Sequence, residues 1–66
     1  MADRHSKIKA GALIVFLKEG NRVGVLIERG VDYSPPYWQV MMQDTGKYHK
    51  VLEINLANGF NRYKFV

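Results

Sequence analysis

The side chains able to make or break bonds are few and scattered. There are two histidines, His5 and His49, and no cysteine. A zinc centre needs four converging ligands at close spacing, and no such spacing occurs. Ser6 and Ser34 lack the fixed base and the oxyanion-binding setting that an activated nucleophile requires. Glu19, Glu28, Asp32, Asp44 and Glu53 fall at turns or at outward strand positions. Carboxylates there are solvated or shape the turn through side-chain hydrogen bonds. Gly20, Gly24, Gly30 and Gly46 do not fit GxxxxGK[ST], the spacing at which backbone N–H groups cradle a phosphate. A chain of 66 residues also leaves little room for a dry, preorganised pocket. The expectation is therefore no catalytic, cofactor-binding or metal-binding residues: not an enzyme, no cofactor and no small-molecule substrate.

Charge and aromatic rings remain. The net charge is +4, and all of the excess lies at the two ends. Residues 1–10 carry Arg4, Lys7 and Lys9 against Asp3, and residues 58–66 carry Arg62 and Lys64 with no acid, while residues 11–57 balance. Basic tails hold polyanions by salt-sensitive attraction, and they also keep small proteins soluble. The segment Gly30-Val-Asp-Tyr-Ser-Pro-Pro-Tyr37 is the other recognition candidate. Its two prolines lower the entropy lost on ordering, and Tyr33 and Tyr37 offer rings to a base or an apolar partner. In the alternative reading the prolines only turn the chain and the tyrosines cover an open end of the fold. The expected nucleic-acid or partner contacts are Arg4, Lys7, Lys9, Arg29, Tyr33, Tyr37, Arg62 and Lys64.

Positioning these residues falls to short extended segments. Turn signals recur at Glu19-Gly20-Asn21, at Arg29-Gly30 with Ser34-Pro35-Pro36, at Asp44-Thr45-Gly46 and at Asn58-Gly59. Gly and Asn accept positive φ, and Pro fixes φ and removes a donor. Strands are expected at about 11–18, 22–29, 37–43, 48–53 and 60–66, the fourth ending in a bend or 3₁₀ turn near Asn55–Ala57. The Asn58-Gly59 pair reads as a hairpin turn before the last strand. No window carries an apolar stripe of helical period over ten residues; only Val51–Asn58 has room for one or two helical turns.

Alternation assigns the faces, because successive strand side chains point to opposite sides. Leu13, Val15, Val23, Val25, Ile27, Trp38, Val40, Val51 and Leu56 are expected in the core, and the parity of Met42, Ile54 and Phe65 permits core positions. Ile14, Phe16, Leu26 and Met41 then lie on the opposite face, as a protein interface if they are exposed together.

The order Lys9-Ala-Gly11-Ala-Leu13-Ile-Val15, Val23-Gly24-Val25-Leu-Ile27-Glu28, Trp38-Gln-Val40-Met-Met, Asp44-Thr-Gly46-Lys47, Val51, Leu56 resembles the small SH3-like barrels of KOW, Tudor and chromo-barrel type. It is similar above all to short SH3-like proteins encoded by tailed phages. The resemblance covers about residues 9–57 and rests on turns and core. It implies an all-β, five-stranded SH3-like barrel that binds RNA, DNA, ribosomal or transcription proteins, or modified peptides. Two departures stand out. Lys18-Glu-Gly-Asn-Arg22 is too short for the acidic, aromatic-rich first loop of a peptide-binding SH3 domain. A methyl-lysine cage would draw on Tyr33, Tyr37, Trp38 and Tyr48, but Trp38 has core parity.

The expected organisation is a basic arm at residues 1–8 and one barrel domain at residues 9–66. The polar start and a longest apolar run of only Ala12–Leu17 give no secretory signal and no membrane span, and the lack of cysteine fits a reducing compartment. The expected setting is cytoplasmic, the host cytoplasm or a virion if the protein is phage-encoded. The expected function is a non-catalytic binding module, a phage-type accessory protein contacting nucleic acid or its machinery. The alternative is a structural or protein-interaction subunit of a phage particle or regulatory complex, with a protein partner or a homo-oligomer.

Overall fold

Segments rich in Val, Ile, Tyr and Phe, broken by glycine and asparagine, fold as extended strands in the computed structural model, which describes residues 4–32, 34–59 and 61–66. A 3₁₀ turn at Arg4–Lys7 precedes β1 (Leu13–Phe16), β2 (Arg22–Gly30), β3 (Tyr37–Met42), β4 (Tyr48–Leu52), the helix α1 (Glu53–Asn58) and β5 (Tyr63–Phe65). The five strands form one antiparallel sheet in the order β4-β3-β2-β1-β5. Among the described residues no helix is long and apolar enough to cross a membrane.

Two local features set this topology. Gly20 and Asn21 take φ of 71° and 60°, so the chain reverses after Phe16 and pairs Phe16 with Arg22 and Leu13 with Val25. Ile27 is an extra residue: Leu26 pairs with Val40 while Glu28 pairs with Gln39. Such a bulge bends the strand and shifts its facing pattern.

The expected inside and outside of β1 and β2 are reversed. Ile14 and Leu26 are 0% exposed and Phe16 is buried, whereas Leu13 is 36% and Ile27 39% exposed; Val15, Val23 and Val25 are half-buried. The core comprises Ile14, Phe16, Leu26, Trp38, Val40, Met42 and Val51 from the sheet and Leu56 from α1, with Ile8, Ala12, Tyr63 and Phe65 packed at its margin. Of the four residues expected to form an outer interface, Ile14, Phe16 and Leu26 are core, and only Met41 lies on the outer side, half-buried. Glu28 suggests that Leu26, two residues before it, faces out, but the bulge separates their faces. Gly24 makes the inner face habitable. A Cβ there would sit 2.5 Å from Val40 Cγ1 and 3.1 Å from Phe16 Cε1, so its missing side chain is the space those groups fill.

Asn58-Gly59 does not turn a hairpin. Asn58 ends α1, and β5 pairs with β1, opposite Phe16 (Tyr63) and Ile14 (Phe65), rather than with β4. The bend expected after β4 is this six-residue helix, which buries Leu56 and Ala57; Ile54 is exposed.

Candidate nucleic-acid interface

Two of the expected contact residues are engaged within the fold. Arg29 lies opposite Trp38 on β3, at the edge of the core where α1 begins. Its Nε and Nη2 donate to the Glu53 carboxylate at 2.6 and 3.2 Å, which raises the arginine further above its ordinary high pKa. The same carboxylate accepts from Trp38 Nε1 at 2.9 Å, and the Glu53 N–H donates to Pro36 O at 3.0 Å. Glu53 thus ties β2, β3 and the Ser34–Pro36 segment to the start of α1.

Tyr37 does not present a free ring. It is 8% exposed and covers Gly30, where a Cβ would collide with its ring. Its O–H donates to Asp32 at 2.9 Å, and Lys50 Nζ sits 4.8 Å from the ring centroid. Tyr37 is a lid over the end of β2. Tyr33 and the Arg4 side chain lie outside the described residues.

A second ion pair clamps the opposite end of the sheet. Arg22 Nε and Nη2 donate to Asp44 at 2.9 and 3.1 Å, and Glu19 lies 3.5 Å from the same guanidinium. Hydrogen bonding to Arg22 holds the Asp44 carboxyl below its ordinary 3.8, helped by the charge of Arg22 and by the Asp44 and Thr45 N–H groups, against partial desolvation. Because the folded value is depressed, this contribution to stability is present above pH 3.8 and is lost as the pH falls below it. A carbon-detected titration of Asp44 is expected to give a midpoint below 3.8, returning towards 3.8 in Arg22→Gln. An unchanged midpoint in that variant would show that the clamp does not act in solution.

Five of the remaining basic residues, Lys7, Lys9, Lys18, Arg62 and Lys64, gather along one edge of the sheet, whereas Lys47 and Lys50 lie just before and within β4 at the other. β5 is an edge strand, next to β1 only. Arg62 precedes it, and Lys64 lies within it, exposed, opposite Val15. At one end of β5 a hollow of about 370 Å³ is lined by Phe16, Lys18, Glu19, Arg62 and Tyr63. At the other end a groove of about 500 Å³ is lined by Ser6, Lys7 and Lys9 together with Ala12, Leu13, Phe65 and Val66. No side-chain hydrogen bond or ion pair joins Lys7, Lys9, Lys18, Arg62 or Lys64 to another described residue. The two basic ends of the chain therefore meet on one edge of the sheet. Among the described residues Glu19 is the one acid lining either hollow, and it is paired with Arg22.

No protein-family model matches this chain, and no curated protein or solved structure does either. Lys18 is missing from the sequence-derived contacts because it lies in the charge-balanced middle; only the pairing of β5 with β1 brings it beside Arg62. The outer face of the sheet is the other exposed feature. Leu13, Val25, Met41 and Tyr48 form one cross-strand row, with Val15 and Val23 in the next. Tyr48 is 60% exposed.

Proposed function

We propose that the chain is a non-catalytic binding module of SH3-like barrel type, a phage-type accessory protein that holds a nucleic acid along the β5 edge. The observation that carries the reading is the convergence of Lys7, Lys9, Lys18, Arg62 and Lys64 around one edge strand, with Glu19 the one acid among the described residues lining the hollows. Unpaired cations attract phosphate, and each one neutralised releases condensed counterions. A lysine in the middle of an edge strand also discourages pairing with a second copy, so Lys64 keeps the edge open to a polyanion. The barrel assignment draws on a long bulged β2 shared by β1 and β3, and on a short helix before the last strand. Curling of the sheet into a barrel left open at the β5 edge is part of the proposal.

Titration of the ¹⁵N-labelled chain with an eight-nucleotide thymidine strand at low salt tests the location. Amide shifts are expected at Lys7, Lys9, Lys18 and Arg62–Val66. Shifts confined to Tyr48, Met41 and Val25, or no shifts, would overturn it.

The apolar row Leu13–Val25–Met41–Tyr48, exposed at Leu13 and Tyr48 and half-buried between them, favours a second reading, a protein-interaction subunit, because contiguous apolar surface marks interfaces. That reading expects a concentration-dependent rise in mass by light scattering, lost in Leu13→Ser/Tyr48→Ser. A monomer at all concentrations that also captures no partner counts against it.

A further inference from the structure

We infer that the β5 edge takes a single strand rather than a duplex, with a base entering the groove beside Phe65; the inference rests on the nucleic-acid reading above. Charge alone does not distinguish the two forms, but the groove walls do. Beside Lys7, Lys9 and Ser6, the groove is lined by Ala12, Leu13, Phe65 and Val66. Phe65 pairs opposite Ile14 and packs against the core margin with the ring half-buried, so its position is fixed before any ligand arrives. A duplex presents phosphates outward and keeps its bases stacked inside, which leaves such an apolar hollow empty. A single strand offers free base faces, and stacking on an aromatic ring is sequence-tolerant because every base has one.

The arrangement of the cations agrees. Arg62 and Lys64 are alternate residues leading into and along one strand, about 7 Å apart by strand geometry. From Arg62 to Val66 the edge runs about 13 Å. A stacked strand rises about 3.4 Å per nucleotide, so the edge accommodates about four nucleotides. Duplex binding calls for cations facing two rows of phosphate across a groove roughly 6 or 12 Å wide. Here the cations follow a single edge, with hollows at both of its ends.

Fluorescence anisotropy tests this with labelled thymidine strands of two, four, eight and sixteen nucleotides and an eight-base-pair duplex, all at 50 mM salt. The single strand of eight is expected to bind at least tenfold tighter than the duplex, with affinity rising steeply up to about four nucleotides and slowly beyond. Phe65→Leu keeps apolar contact with the core but removes the ring. It is expected to weaken single-strand binding roughly tenfold and to leave the duplex unchanged. Lys7→Gln/Lys9→Gln, both exposed and so without consequence for folding, is expected to weaken the single strand more than the duplex. Equal affinity for the two forms, with neither variant separating them, would overturn the single-strand inference while leaving the basic-edge reading intact. Binding of neither form would remove both.

Discussion

Leu26→Ala is expected to destabilise the chain by about 2–5 kcal/mol, the range for emptying a fully buried leucine site. Ile27→Ala, one residue along the same strand, is expected to cost less than about 1 kcal/mol. Leu26 is fully buried and pairs with the equally buried Val40. Ile27 sits on the bulge with 39% of its surface in water. In a domain of this size each kcal/mol moves the melting temperature by roughly 4–8 °C, so the two variants should melt well apart. Thermal and urea unfolding, followed by circular dichroism and by Trp38 fluorescence, makes the comparison. If Ile27→Ala proves the more damaging, the faces of β2 are assigned the wrong way round.

Glu53→Ala is expected to lower stability by about 1.5–3 kcal/mol, the range for losing a hydrogen bond to a charged group. The bond that counts is the one from Trp38 Nε1, at 2.9 Å and partly buried. The Arg29 guanidinium is open to water and contributes geometry more than energy. Without the carboxylate, the indole N–H at the core edge loses its acceptor. Trp38→Phe removes that donor, so the two substitutions should not add. A double-mutant cycle is expected to show coupling of about 1 kcal/mol or more. Strict additivity would mean that the Glu53–Trp38 bond adds nothing in solution.

Which parts of this fold are legible in the sequence follows from what each strand carries on its two faces. From Trp38 onward β3 reads correctly because polar Gln39 separates buried Trp38 from buried Val40, with Met42 buried on the same side, so alternation has a sign; Tyr37, on the face of Gln39, is buried as well. β1 and β2 are apolar on both sides, and alternation there gives two faces without saying which is inner. The deciding features are tertiary. Gly24 leaves space that Phe16 and Val40 fill, and the bulge at Ile27 turns Glu28 away from the face of Leu26. The helix Glu53–Asn58 is too short to show periodicity; Leu56 alone anchors it fully in the core.

The candidate site divides along similar lines. Sequence places the positive charge at the chain ends, and the structure retains Lys7, Lys9, Arg62 and Lys64 as exposed residues. That both ends meet on one edge depends on β5 pairing with β1, which the Asn58-Gly59 hairpin signal points away from. Arg29 and Tyr37 look available in sequence because their partners, Glu53 and Asp32, reach them only in the fold.

The salt dependence of binding tests the β5-edge account most directly. Affinity of the native chain for an eight-nucleotide strand, plotted as log K against log salt, is set beside that of Lys7→Gln/Lys9→Gln/Arg62→Gln/Lys64→Gln. Five contacting cations give a slope of up to about −3.5, and the one left in the variant gives a slope no steeper than about −0.7. Equal slopes for the two proteins, or a native slope near zero, would contradict the account.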